Sequence, residues 1–189
     1  MQLDDDYLAM QIQALLLCSG QAMTVVQLQE LCAHESGEIV DADAVRRALQ
    51  RLETLLEQGV MELVEVASGY RLHIRQPWVR GVQRLQEDKP QRFSRALMET
   101  LALIAYRQPI TRGEIEEIRG VAVSTQIIRT LQEREWVRVA GYREVPGRPA
   151  LLVTTRQFLD SFGLKKISDL PPLAELSDLL GAGAHVAPE

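Results

Sequence analysis

Residues 101–121, LALIAYRQPITRGEIEEIRGV, followed by residues 141–155, GYREVPGRPALLVTT, decide the fold of this 189-residue chain. In the first stretch Leu101, Ala102 and Ala105 continue a helical stripe begun at Met98 and lead to Gln108 and Pro109. Thr111 is placed to cap a second helix carrying Ile115 and Ile118, which Arg119 and Gly120 close. Ser124 caps a third, in which Ile127, Ile128 and Leu131 recur at helical spacing. The second stretch is a hairpin: Trp136 to Ala140 and Ala150 to Thr154 form strands, and GYREVPGR between them is the tip. Helix, helix, helix, hairpin is the order of a winged helix.

The same order occurs earlier. Leu8, Ile12, Leu15 and Leu16 predict a helix that stops at Gly20, Thr24 caps a helix through Leu28, Leu31 and Cys32, and the polar loop HESGEIVDAD leads to a third with Val45, Ala48, Leu49, Leu52 and Leu56 on one stripe. Val60 to Val66 and Tyr70 to Arg75 flank Ser68 and Gly69 as a hairpin. Gln21, Ala22, Thr24, Leu28 and Leu31 match Gln108, Pro109, Thr111, Ile115 and Ile118 at an offset of 87, while Ala48, Leu49 and Leu52 match Ile127, Ile128 and Leu131 at 79. The expected fold is therefore mainly α with small β-hairpins, an α+β tandem of winged-helix domains, with a shorter loop in the second copy.

Composition agrees with two small aliphatic cores: 46% of residues are apolar, 25% charged and only 5% aromatic. No basic, apolar leader opens the chain, since Asp4, Asp5 and Asp6 stand there, and no apolar run approaches the roughly 18 residues of a membrane span. A cytoplasmic protein without membrane contact is expected. Cys18 and Cys32, set among leucines, are expected to be buried, reduced thiols, and His34, His73 and His185 share no zinc-like spacing with them, so neither a metal nor another cofactor is expected.

The organisation follows from breaks in the pattern. Residues 1–88 form the first domain, ending in an amphipathic helix from Trp78 to Gln86, and 89–93 are a linker around Pro90. Residues 94–173 form the second domain, in which Thr155 to Phe162 make a short helix with Phe158, Leu159 and Phe162 inward, and Leu164, Ile167, Leu170 and Leu173 dock as a strip. Residues 174–189 lack the means to bury themselves and are expected to be disordered.

The strings AYRQPITRGEIEEIRGV (105–121), IIRTLQEREWVRVAG (127–141), PGRP (146–149), TTRQFLDSFGL (154–164) and ISDLPPL (167–173) resemble the bacterial segregation and condensation protein B family. That resemblance implies a non-enzymatic accessory subunit of the SMC condensin complex, nucleoid-associated, with two winged helices. It implies a homodimer formed through the N-terminal domain and binding to the kleisin subunit, segregation and condensation protein A, with the SMC ATPase reached through the kleisin. Two departures lie in or beside the wing: the family usually has Gly where Glu135 stands, a left-handed position at the end of the third helix, and an aromatic residue near Leu152.

A winged helix reads DNA with its third helix or holds protein with the same face. Residues 1–92 carry nine Lys and Arg against fourteen Asp and Glu, so the first domain lacks the basic excess that phosphate binding demands. The second carries a local basic stretch, seven Arg against three Glu from Arg119 to Arg156, and DNA contact is expected to be weak or indirect. A winged-helix transcriptional regulator is the alternative.

The expected partner surface is Tyr106, Arg107, Arg119, Gly120, Val121 and Ile128 with the wing tip Pro146, Gly147, Arg148 and Pro149. Ile128 fits the core equally well, and two further features read in two ways. The PGRP tip is a rigid bend that protects an edge strand, or a preorganised arginine grip; Arg119 complements a helix C-terminus, or anchors a partner. Core packing explains most of the apolar surface of the first helix, and the excess, taken as Leu8, Ile12 and Leu16, joins Trp78 and Val82 as the expected dimer surface. An enzyme is the least supported class, because no nucleophile is matched to a base and Glu114, Glu116 and Glu117 sit where acids favour a helix N-terminus.

Overall fold

The computed structural model describes residues 4–36, 40–83 and 93–172. The expected linker apart from Phe93, the C-terminal tail, Leu173 and the end of the Trp78 to Gln86 helix lie outside them. In the first winged helix α1 (Asp5–Ser19), α2 (Val25–Ser36) and α3 (Ala42–Leu56) precede β1 (Met61–Val66) and β2 (Gly69–Ile74), with α4 (Gln76–Gln83) following. In the second, α5 (Arg95–Arg107), β3 (Ile110–Thr111), α6 (Arg112–Arg119) and α7 (Thr125–Glu133) precede β4 (Val137–Tyr142) and β5 (Ala150–Thr154). Helix α8 (Arg156–Ser161) and a 3-10 turn, Ile167–Asp169, complete it. The architecture is α+β, with each helical trio on its own small antiparallel sheet.

Each copy has its own aliphatic core. Leu8, Ile12, Leu28, Val45, Leu49 and Leu52 centre the first, and Leu101, Ile104, Ile115, Val123, Leu131 and Leu152 the second. The inward stripe of α5 is rotated from the expected one: Leu97, Leu101, Ile104 and Ala105 are buried, whereas Met98 and Ala102 face out. Cys18 is likewise a correction. The buried positions of α1 are Leu8, Ala9, Ile12 and Leu16, and two further residues, at about 100° each, carry Cys18 off that stripe to an exposed position. Cys32 is buried as expected.

The repeat extends further than the sequence pattern indicated. Ile110 and Thr111 add a third strand to the second sheet, pairing with Leu152 and Leu151, and Met23 makes the matching bridge to Tyr70 in the first copy. The next residue in each copy is the capping threonine. Thr111 and Glu114 exchange hydrogen bonds in a capping box, and Thr24 and Gln27 do the same: the Gln27 amide donates to Thr24 Oγ1 (3.2 Å) and the Thr24 amide to Gln27 Oε1 (2.9 Å).

Aromatic stacking fixes the C-terminal segment to the second core. Trp136 lies edge-on to Phe93 (5.2 Å) and Phe162 (5.3 Å), and its indole nitrogen donates to Ser161 Oγ (3.0 Å). Phe162, expected inward, is partly exposed yet stacked on Phe158 as well. Farther on, Leu164 and Leu170 pack on the core and the Tyr106 hydroxyl donates to the Pro171 carbonyl, 2.5 Å away.

Among the described glycines, Gly69 has the least room for a side chain. Its φ of 126° belongs to the region that disfavours side chains, and an added Cβ would meet the Met23 carbonyl oxygen at 2.2 Å, because the Met23–Tyr70 bridge passes there. Gly69→Ala is expected to destabilise the first winged helix by about 3 kcal/mol, combining strain with displaced backbone. A thermal melt should show its midpoint fall by on the order of 10 °C; an unchanged melt would mean that the bridge is dispensable.

Candidate partner-binding site

The third helix and the wing of the second copy enclose a groove of about 440 Å3. Ile128 of α7, Val139 of β4, and Pro149, Ala150 and Leu152 at and beyond the wing tip supply its apolar lining, while Arg112, Arg129, Thr125 and Gln132 add polar groups. Ile128 and Leu131 both belong to the inward side of α7, but only Leu131 is fully buried; Ile128 is half-buried and shared between core and groove. Arg112 donates to Glu116 (3.0 Å) and Thr125 (3.1 Å), and Arg129 pairs with Glu133 (2.8 Å).

The expected partner residues divide. Ile128 and Pro149 line the groove. Arg148, at φ 39° after Gly147 at φ 85°, holds the wing tip through its amide to the Val145 carbonyl (2.9 Å), and its guanidinium lies 6.0 Å from the Tyr142 ring centroid. Pro146 and Gly147 are exposed beside it, and Arg107 and Val121 are exposed on the surface. Gly120 is the left-handed C-cap of α6 (φ 70°), while Tyr106 is engaged with the C-terminal strip.

Arg119 is a correction to its reading as a partner anchor. Only 10% of its side chain is exposed, and it donates to Thr100 Oγ1 (3.2 Å) and Glu99 (3.0 Å), tying α6 to α5. Leu8, Ile12 and Leu16 are a second correction: they are buried in the first core and offer no surface to another chain. Trp78 and Val82 are exposed. A different apolar face lies on α1, where Tyr7, Met10 and Leu17 fall within one sector opposite the buried stripe.

Arg112 and Val139 were missed in the sequence because the groove appears only once β4 and α7 are set against β5. Alternation along Val137, Val139 and Gly141 was the available signal for Val139; Arg112 had none beyond its place at the start of a helix. Glu135, by contrast, stands where a left-handed residue was expected, and its φ is 57°.

In the first copy the corresponding groove, about 460 Å3, is lined by Arg46, Leu49, Gln50 and Glu53 of α3. These occupy the positions of Thr125, Ile128, Arg129 and Gln132 at the offset of 79. Its other wall is mixed, with Leu63 and Val64 beside Glu65, Tyr70 and Lys165. The arginines of α3 are neutralised: Arg46 pairs with Asp43 (2.6 Å), Arg47 with Asp5 (3.5 Å) and Arg51 with Asp6.

Three carboxylates in the second copy are held toward the ionised form. Glu114 lies below the ordinary glutamate range because the Thr111 amide and hydroxyl donate to it and Arg143 faces it; Glu116 does so through the Val123 amide and then Arg112, and Glu99 through Arg95 and then Arg119. A lowered folded pKa means that the unfolded chain binds more protons, so this stability is present above the ordinary glutamate pKa and is lost as pH falls through the folded values. Calorimetric melts of the second copy should decline below about pH 4.3, the reference glutamate value. Glu114→Gln should melt lower at neutral pH and flatten that decline; an unaltered pH slope would remove the capping box from the account. Arg119→Ala should lower stability by about 2 kcal/mol, the scale of hydrogen bonds to charged groups. Urea unfolding checks this, and an unchanged midpoint would return Arg119 to the candidate surface.

Residues 10–173 match the family described as segregation and condensation complex subunit ScpB. The segregation and condensation protein B homolog of Coxiella burnetii is 50% identical over 169 residues, covering 89% of this chain and 79% of that protein. Segregation and condensation protein B of Syntrophotalea carbinolica is 46% identical over 143 residues, 74% of this chain and 72% of its own. A crystal structure of ScpB from Mycobacterium tuberculosis is 30% identical and covers 87% of this chain and 99% of that one, with a TM-score of 0.39. No described helix is long and apolar enough to cross a membrane. With two winged-helix cores, a match spanning nearly all the described residues and relatives of this identity, the chain belongs to the segregation and condensation complex subunit ScpB family.

Proposed function

We propose that the protein is a non-catalytic subunit of the SMC–kleisin condensin complex, acting in chromosome condensation and segregation at the nucleoid in the cytoplasm. It dimerises through its first winged helix and binds the kleisin, segregation and condensation protein A, through its second, reaching the SMC ATPase by way of the kleisin. The observation that carries this reading is the groove between α7 and the wing, whose apolar lining of Ile128, Val139, Pro149, Ala150 and Leu152 is accompanied by Arg112 and Arg129. A helix lays its apolar side into such a groove.

A role based on DNA binding has less support. Phosphate affinity needs cations free to displace counterions. Arg46, Arg47 and Arg51 on the first third helix, and Arg112, Arg129 and Arg143 around the second, all have carboxylate partners within the chain.

A dimer interface needs residues that have surface to offer. Trp78 and Val82 remain, and the outer side of α1 adds Tyr7, Met10 and Leu17. An α-helix apolar on both sides is usually covered on both, and a second copy of the chain would do so here.

Binding of labelled kleisin to the purified chain, with light scattering for mass, tests both parts. Arg129→Glu and Ile128→Glu should each weaken kleisin binding roughly tenfold or more, the scale of a central interface residue. Arg129 is exposed, so its variant should melt as the wild type does. Met10→Lys with Leu17→Lys should shift the mass toward the monomer. Unchanged kleisin affinity in both groove variants, or tight and steeply salt-dependent binding of duplex DNA without a kleisin complex, would sink the reading in favour of a transcriptional regulator.

A further inference from the structure

The two wings end differently. The second wing closes on itself, the Arg143 amide donating to the Pro149 carbonyl and the Arg148 amide to the Val145 carbonyl (each 2.9 Å). The first wing tip is held by the other domain. The Ser68 amide and hydroxyl both donate to the Asp160 carboxylate, at 2.9 and 2.6 Å, and the Ala67 amide donates to the Leu164 carbonyl at 3.0 Å. One strand position away, Glu65 pairs with Lys165. Residues 65–68 of the first winged helix thus meet residues 160–165 of the second through four polar contacts.

Nothing local accounts for Asp160. It is the penultimate residue of α8, where the helix dipole disfavours a carboxylate. Its two carboxylate oxygens instead receive the two Ser68 donors, and in the described residues the wing tip is the only group that they bond. Lys165 is similar in kind: its ammonium leaves the C-terminal strip to reach Glu65 and forms part of the wall of the first groove, beside Arg46, Leu49 and Tyr70.

We propose that these contacts form an interdomain latch, by which the end of α8 and the residues after it grip the first wing, hold the two winged helices in one orientation and place Lys165 across the groove of the first copy. The contact is polar and small, the kind that opens and closes without unfolding either core. While it is closed the first groove is walled by the chain's own lysine; when it opens the wing tip and that groove face solvent together. This inference is independent of the kleisin reading, because it concerns only contacts within the chain.

Hydrogen exchange at single amides, followed by NMR on the full chain, reads the latch directly. The amides of Ala67 and Ser68 sit in a turn and find acceptors only in the other domain. In the wild type they should be protected, and Asp160→Ala should speed their exchange by roughly tenfold or more, the consequence of removing charge-assisted bonds. The core amides of Leu49 and Leu52 should keep their wild-type rates, showing that the first winged helix is intact. Glu65→Lys and Lys165→Glu should each accelerate the two turn amides, and the double exchange should slow them again. Unprotected turn amides in the wild type, or rates unmoved by Asp160→Ala in a folded protein, would overturn the latch.

Discussion

Each winged helix depends on a two-residue stretch that must bond in two directions at once. Met23 and Ile110 reach sideways to the last strand of their wings, and the residues after them, Thr24 and Thr111, cap the helices that follow. A cap fixes where a helix begins and a strand bridge fixes where the wing lies. Joining the two by a single peptide link sets the angle between helical layer and sheet with almost no freedom left. The close passage of the Met23 carbonyl over Gly69 follows from this, as does the burial of Thr111. The groove beside the third helix exists because the wing has been drawn in to that position.

Much of this was legible because its signals are local. Caps at Thr24, Thr111 and Ser124, stops at Gly20 and Gly120, and the 87 and 79 offsets depend on residues within a few positions of each other, and the helices stand where those residues put them. The side of a helix that turns inward was less secure. Helix α5 is apolar around much of its circumference, so Met98 and Ala102 read as well as Leu97 and Ile104 until tertiary packing chose between them. The same ambiguity misplaced Cys18 and assigned Leu8, Ile12 and Leu16 to an outer surface, because α1 has leucines and other apolar groups on both sides. A narrow amphipathic stripe, as on α3, left no such room, and Val45, Ala48, Leu49, Leu52 and Leu56 are all buried.

The candidate site was legible in part. Ile128 and the proline-bounded tip stand out in sequence, but Val139 and Arg112 join them only through pairing of distant strands, and Arg119 looks the same in sequence whether it serves a partner or Glu99. Its environment decides. An arginine with 10% of its side chain exposed and two internal acceptors does not reach outward without leaving Thr100 and Glu99 behind. Asp160 lay further still from legibility, since its acceptor role is set 92 residues away at Ser68.

Duplication explains why two grooves exist, and their linings have diverged. Leu49 and Ile128 keep the apolar position at the centre of each, but around them Arg46 and Glu53 stand in place of Thr125 and Gln132, and Glu65 and Lys165 join Leu63 and Val64 in a wall that has Val139 and Leu152 in the other copy. A charged groove already facing its own counter-ions gives little for an apolar segment to gain, since its polar groups would have to be stripped of water and repaired elsewhere. The second groove imposes no such penalty on its apolar lining. The two copies therefore differ in a handful of side chains on an otherwise repeated frame, and the proposed assignment of the ligand to the second copy rests on that difference.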